Sequence, residues 1–311
     1  MNCSLTIICP VYNEEEVIKE FYDELKGVLI QLCGYESKIL FVVDRCTDTT
    51  LDILKGIADS DKTVQIIALS SRFGHQMALL AGIDNSSSDV IIMMDADLQH
   101  PPSLIPRMLE FFEKGYEIVH TVREYPPEIG FFKRLSSKLF YKVINRISDV
   151  PIHEGSADFR LISRRVADVF RNNIRERNQF MRGLFSWVGF KSIHIPFQGM
   201  IRRGGESKYS IGRLIRFGIH GIISFSRKPL QAAVIVGIIL ASLGILYSTI
   251  VFIQYFVDET LPSGWATLTI LLSFFSGIQL IFLGIIGEYI AAIFDEVKGR
   301  PHYIIEEKIN I

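Results

Sequence analysis

The sequence predicts an α/β fold, a mainly parallel sheet with helices on both faces, followed by a basic amphipathic helix and a hairpin of two membrane spans. Three observations predict it. Short β-branched runs alternate with helically spaced apolar residues through the first two-thirds of the chain. Two long uncharged apolar runs follow near the C-terminus. Polar motifs stand at the ends of three strand-like runs, where open α/β sheets bind ligands.

The runs LTIIC, KILFVV, VQIIAL and VIIMM read as buried strands. Val17, Ile18, Phe21, Leu25, Val28, Leu29 and Leu32 recur at the spacing of a helix that buries one face. HQMALLAGIDN and PSLIPRMLEFFEKG are further helices by the same period. The polar motifs are PVYNE after the first strand, DRCTD after the second and DADLQ after the fourth.

The chain has 311 residues, 49% of them hydrophobic, and the apolar excess sits late in the sequence. No charged residue occurs from Pro229 to Val257 or from Thr260 to Gly287. Each run exceeds the roughly 20 residues that cross a bilayer, so both are expected to span one, at about 230–257 and 264–287. The short connection carries Asp258 and Glu259, whereas Arg202, Arg203, Lys208, Arg213, Arg216, Arg227 and Lys228 precede the first span and Lys298 and Arg300 follow the second. The positive-inside rule then places both termini and the N-terminal domain on the cytoplasmic face of the plasma (inner) membrane. MNCSLTIICP lacks a basic start and a cleavage site, so no signal peptide is expected. Cys3, Cys9, Cys33 and Cys46 have no metal-type spacing and read as thiols in a reducing compartment.

Between the domain and the first span, Ser210 to Arg227 sets Ile211, Leu214, Ile215, Ile219, Ile222 and Ile223 on one helical face and Arg213, Arg216, His220, Ser224 and Arg227 on the other. Such a helix lies in the headgroup layer or packs on the domain, and different faces permit both. The expected division is a domain at 1–209, a juxtamembrane helix at 210–228, two spans within 229–290 and a cytoplasmic tail at 291–311. The net charge of −1 is uninformative about nucleic acid, and the bases count through their clustering beside the spans; the expected partners are the membrane and no nucleic acid.

In VIIMMDADLQHPP an apolar strand runs into Asp95 and Asp97. On an extended backbone side chains at i and i+2 face the same way, so Asp95, Asp97 and Gln99 would share one side. Oxygen ligands at close range suit a hard cation, Mg2+ or Mn2+, with water and phosphate oxygens completing its shell.

The ordered set CPVYNEEE, DRCTDTT, SSRFGHQMALLAGID, MDADLQHPP, SADFRLISRR, QFMRGLFSWVGF, GGESKYSIGRL and GEYIAAIFDEVKGRPHYI resembles the polyisoprenyl-phosphate glycosyltransferases, the class of dolichol-phosphate mannose synthase and bactoprenol glucosyltransferases. The resemblance covers nearly the whole chain. It implies a GT-A catalytic domain and an inverting transfer of one hexose from a nucleotide sugar to a polyisoprenyl phosphate. Carried onto this chain, it implies that Pro10, Tyr12 and Glu14 line the nucleotide, Asp44 holds the base, Asp95 serves ribose and metal shell, and Asp97 with Gln99 holds the metal. It points to Arg123 and Arg134 as lipid-phosphate contacts and places Asp158, with Arg160 beside it, where many relatives carry a proposed general base. Asp158 would otherwise position Arg160 or the acceptor. Arg202 and Lys208, flanking GGES, are cations suited to closing over the donor diphosphate.

The family pattern D-G-S-x-D reads Asp44-Arg45-Cys46-Thr47-Asp48 here, which leaves the turn's shape and the preference for UDP over GDP open. UDP-glucose or UDP-N-acetylglucosamine and undecaprenyl phosphate are the expected substrates. Transfer to a sugar-loaded lipid or a protein, processive polymer synthesis and a non-catalytic membrane anchor are the competing readings. Self-association into a homo-oligomer suits an enzyme held by so small a hairpin.

Overall fold

A computed structural model of the chain describes residues 3–124, 155–177, 179–198, 226, 228–257 and 264–311. The four apolar runs form β1 (Cys3–Val11), β2 (Tyr35–Val43), β3 (Val64–Leu69) and β4 (Val90–Met93). β1 lies between β2 and β4, and β2 pairs with β3, all in parallel. Crossover helices cover these strands: α1 (Ile18–Leu29), α2 (Thr50–Ser60), α3 (His75–Asp84) and α4 (Ile105–Glu113), the last entered through a 3-10 turn at Pro102–Leu104.

α1 buries Ile18, Phe21, Leu25 and Leu29, as its spacing predicts, and the Phe21 ring meets Phe41 of β2 edge-on at 6.3 Å. Each such side chain contributes about 1.5–3 kcal/mol by leaving water. α3 approaches β1 so closely that a Cβ at Gly82 would lie 2.3 Å from Ile8 Cγ2. Its buried Ala78, Leu79, Leu80, Ala81 and Ile83 fill the layer on that face.

Beyond β4 the sheet becomes mixed. β6 (Ser156–Ser163) runs antiparallel between β4 and β5 (Ile118–Glu124), and β5 pairs in parallel with β7 (Ser192–Gln198). The order is β7-β5-β6-β4-β1-β2-β3-β8. Because β6 is reversed, its first residues lie at the carboxyl end of β4. α5 (Arg164–Asn172) and α6 (Met181–Trp187) pack behind it.

α7 (Lys228–Val257) and α8 (Trp265–Val297) are each long and apolar enough to cross a membrane, and no part of their apolar windows is covered by the rest of the chain. At 33 residues α8 is about 50 Å long, against about 30 Å of hydrocarbon. The helix therefore continues past Glu288 to Val297, well beyond the expected end of the second span at 287. Tyr289 hydroxyl donates to the Ser226 carbonyl at 2.7 Å, tying α8 to the entry of α7.

The segment expected as a tail is also folded. β8 (Ile305–Ile309) pairs antiparallel with β3 as the last strand of the sheet. Ile305 and Ile309 are half-buried while Glu306, Glu307 and Lys308 face out, the charged pattern of a protected edge. Tyr303 donates to Asp84 at 2.7 Å, Arg175 holds the same carboxylate at 3.0 Å, and Lys308 reaches Asn85 at 2.7 Å. The expected amphipathic helix at 210–227 lies outside the described residues apart from Ser226, as do Arg134, Arg202, Lys208 and the loop between the two long helices.

Candidate active site

Pro10 is buried within β1, and its place there has a local reason. Met94 N–H donates to Ile8 O at 3.0 Å, and the β1–β4 register ends with Ile8 opposite Met93. Ile8 and Pro10 point their backbones to the same side, so the missing N–H of Pro10 falls where β4 has already turned away. That parting of neighbouring strands separates the loop after β1 from the loop after β4.

The loops after β1 and β2 brace each other. Asn13, at φ 53°, exchanges hydrogen bonds with Thr47: its Nδ2 donates to Oγ1 at 2.9 Å and its Oδ1 accepts Thr47 N–H at 2.9 Å. Glu14 N–H donates to Thr50 Oγ1 at 3.0 Å, and Glu15 accepts both Thr49 donors, at 3.0 and 2.7 Å. The DRCTD turn needs no glycine, because none of its residues takes a positive φ. Arg45 points away and donates to Ser70 O at 3.0 Å.

Asp44, only 4% exposed, ends β2 and reaches the loop after β3: Oδ1 accepts Phe73 N–H and Oδ2 accepts Gly74 N–H, each at 2.8 Å. Gly74 has φ +91° and ψ 164°, a conformation for which glycine is needed. The same loop lays the Arg72 guanidinium 4.0 Å over the Tyr12 ring. Tyr12, Glu14 and Asp44 thus meet at one end of β1 and β2.

The DADLQ segment is a turn, since β4 ends at Met93 and Leu98 has a left-handed φ of 60°. Alternation survives the bend: Asp95, Asp97 and Gln99 are partly open while Ala96, Leu98 and His100 are buried. Gln99 N–H donates to Asp97 Oδ1 at 3.1 Å, and Asp95 N–H donates to His100 Nδ1 at 3.0 Å. An Nδ1 that accepts carries no proton, and burial lowers the pKa of His100 further, so this ring is neutral and stacks on Phe159 at 5.2 Å. Strain at Leu98 costs about 1–3 kcal/mol and is held in place by these two closures.

His75, the first residue of α3, places Nε2 2.6 Å from Asp95 Oδ1. Burial opposes its charge, but the attraction and hydrogen bond of Asp95 outweigh that and raise its pKa to about 9. Asp95 is correspondingly held below the usual carboxylate range: burial raises it, and the charge and hydrogen bond of His75 overcome the burial. Among the described residues no group of three His, Cys, Asp or Glu side chains converges as a metal cage. The donor set is two carboxylates, of which Asp97 has Gln99 N–H as its one hydrogen-bond partner among the described residues. That set fits a hard cation that shares its ligands with a polyphosphate and does not fit a closed protein site. Gln99 Oε1 accepts Arg123 Nη2 at 2.8 Å, which links this segment to β5.

A second charged group stands at the start of β6. Asp158 is 7% exposed and accepts Arg182 Nε at 3.0 Å and Arg160 Nη2 at 3.2 Å on Oδ1, and Arg182 Nη2 at 2.9 Å on Oδ2. Burial raises this carboxyl, but Arg182 and then His75 and Arg160 hold it well below the usual range. Arg160 is 1% exposed, lies 4.5 Å over the Phe185 ring and also donates to Ala157 O at 3.0 Å. Gln76 Oε1 accepts Met181 N–H at 3.3 Å, fixing the start of α6 beside His75.

The carboxyl end of the sheet therefore assembles Pro10, Tyr12, Glu14 and Asp44 on one half, Asp95 and Asp97 at its centre, and Gln99, Arg123 and Asp158 on the other, with Arg160 buried behind Asp158. His75, His100, Arg72 and Arg182 join them without having been singled out from sequence. Arg182 is the one cation of the mainly apolar QFMRGLFSWVGF, and that is the signal that marks it; His75, in the polar SSRFGHQ, carries none.

Residues 6–170 match the family model described as Glycosyl transferase family 2. Over 308 residues the chain is 42% identical to an uncharacterized glycosyltransferase of Bacillus subtilis strain 168, covering 98% of this chain and 94% of that one. It is 37% identical over 303 residues to a prophage-derived bactoprenol glucosyl transferase of Shigella flexneri, covering 97% of each. A prophage bactoprenol glucosyl transferase homolog of Escherichia coli K12 is 35% identical over 305 residues, covering 97% of this chain and 98% of that one. In fold the chain is similar to the crystal structure of mannosyl-3-phosphoglycerate synthase from Rubrobacter xylanophilus, with a TM-score of 0.50 and 15% identity, over 70% of this chain and 71% of that one.

Proposed function

The chain belongs to glycosyltransferase family 2, and on that premise we propose that it transfers a single hexose from a nucleotide sugar to a polyisoprenyl phosphate at the cytoplasmic membrane face. The observation that carries the reading is the similarity to bactoprenol glucosyl transferases, which runs the length of the chain and takes in both long apolar helices. UDP-glucose or UDP-N-acetylglucosamine is the donor and undecaprenyl phosphate the acceptor in this reading.

Tyr12, Glu14, Asp44 and the mutually braced loops take the nucleotide. Asp97 and Asp95 would hold Mg2+ or Mn2+, which supplies positive charge to the departing diphosphate. His75 fixes Oδ1 of Asp95 and, through Gln76, the start of α6. Arg123, held by Gln99, faces the acceptor half. Attack opposite the leaving group inverts the anomeric carbon. The two spans, with both termini inside, keep this site near the headgroups, so the lipid need not leave the bilayer.

The test is a transfer assay on the full chain in membranes, with undecaprenyl phosphate, each divalent cation and a panel of labelled UDP- and GDP-sugars. Label entering the organic phase from one donor, only with metal, is the expected result. A folded, membrane-inserted protein that moves no label to lipid phosphate from any donor would sink the reading.

A further inference from the structure

We propose that Asp158 is a positioning residue and not the base of the reaction, and that it aims Arg182, the cation that seats the attacking phosphate of the acceptor. The proposal rests on the lipid-phosphate reading above and deepens it.

Three guanidinium N–H groups already fill Asp158: two from Arg182 on separate oxygens, at 3.0 and 2.9 Å, and one from Arg160 at 3.2 Å. Both partners are permanent cations. A carboxylate gripped in this way is a poor proton acceptor, and its depressed pKa agrees. The two arginines differ in reach. Arg160 is sealed in, between the Phe185 ring and the Ala157 carbonyl. Arg182 keeps 33% of its side chain open while its fork is locked in the plane of the Asp158 carboxylate. Asp158 thus stands between a buried anchor and a cation that reaches the site.

The place is right for the acceptor. The reversed course of β6 brings Asp158 to the carboxyl end of β4, on the side away from the β1, β2 and β3 loops and toward Arg123 on β5. The chemistry asks for a cation there and for no base. A phosphate monoester has its second pKa near about 6, so it is largely a dianion at neutral pH. One of its oxygens forms the new bond to the anomeric carbon as the bond from that carbon to the diphosphate oxygen breaks. The electron pair leaves with the nucleoside diphosphate, the acceptor becomes a monoanionic diester, and no proton moves. What the step requires is a fixed orientation.

The experiment compares the full chain in detergent with Asp158→Asn, Arg182→Gln, Arg182→Lys and the double variant Asp158→Asn/Arg182→Gln. It measures kcat, acceptor KM and the pH–rate profile, and the affinity of geranyl phosphate without donor. Losing one charge-assisted hydrogen bond predicts an acceptor KM raised about ten- to hundredfold in either single neutral variant. The double variant should be within about threefold of Arg182→Gln, since the two residues act as one unit. Arg182→Lys should keep more geranyl phosphate affinity than Arg182→Gln. The acid limb, set by the substrate near about pH 6, should persist in Asp158→Asn. The melting temperature of each variant shows whether it fails by misfolding; Arg182→Gln, which leaves Asp158 paired with Arg160, is the variant that keeps the test independent of the buried Arg160. An Asp158→Asn enzyme with unchanged acceptor KM, collapsed kcat and no acid limb would overturn the proposal, as would losses that multiply in the double variant. A wild-type protein that neither binds geranyl phosphate nor glycosylates a lipid phosphate overturns the reading beneath it as well.

Discussion

Replacing Asp44 by Asn tests whether this residue acts by organising the loop after β3. Its two oxygens each accept one backbone N–H at 2.8 Å, from Phe73 and Gly74, in a site only 4% exposed. The carboxamide keeps one acceptor and turns an NH2 toward the other N–H. One charge-assisted bond is lost and the second becomes neutral, which costs about 2–4 kcal/mol. At about 1.4 kcal/mol per tenfold, the open population of the loop rises roughly thirty- to a thousandfold. Hydrogen–deuterium exchange of the amides from Ser70 to Ala78 in the full chain would register that opening, and the Kd for UDP should rise with it. Unchanged exchange would refute the argument. If UDP affinity nevertheless fell, Asp44 would be a direct nucleobase contact and not a brace.

Four further outcomes follow from the same geometry. Gly74→Ala must hold an L-residue at φ +91°, which costs about 1–3 kcal/mol and displaces His75 from Asp95, so melting temperature and turnover should fall together. Gly82→Ala sets a Cβ 2.3 Å from Ile8 Cγ2 and should destabilise the domain by about 1–3 kcal/mol with little change in acceptor KM, read by thermal denaturation and kinetics. Tyr303→Phe removes the 2.7 Å bond to Asp84 and should cost about 1–2 kcal/mol in denaturant unfolding, a loss absent if β8 contributes nothing to the sheet. At Asp61 burial pushes the pKa up, but Lys26 at 2.6 Å, Thr63 and Tyr22 hold it well below its ordinary value. A depressed carboxyl adds stability above its unfolded pKa of about 3.9 that is lost as pH falls. The gap in stability between wild type and Asp61→Asn should therefore narrow below about pH 4, and a constant gap would contradict the assignment.

The parallel half of the sheet was legible because β1 to β4 are buried over most of their length and carry runs that are mainly apolar. β6 hid its nature by carrying Asp158 and Arg160 inside the protein, where only a paired charge is tolerated. β8 was read as tail because three of its five residues are charged, as an edge strand permits, and because its partner β3 lies more than two hundred residues away. Asp95 and Asp97 were legible as a pair, although the backbone that presents them is a strained turn and not the extended strand assumed. The histidines escaped notice because a lone His carries no spacing signal. Only the fold brings His75 to Asp95.

The central claim is that one hexose is moved onto a lipid phosphate, and the most direct measurement is the structure of the lipid product. Organic-phase material made by the wild type and by Asp97→Asn would be examined by mass spectrometry and phosphorus and proton NMR, with released nucleotide counted alongside. The account predicts a single hexose in a phosphodiester with inverted anomeric configuration, one UDP released per lipid modified, and neither product from Asp97→Asn. Oligosaccharide on the lipid, a sugar added to an existing glycolipid, or UDP release with no modified lipid would contradict it.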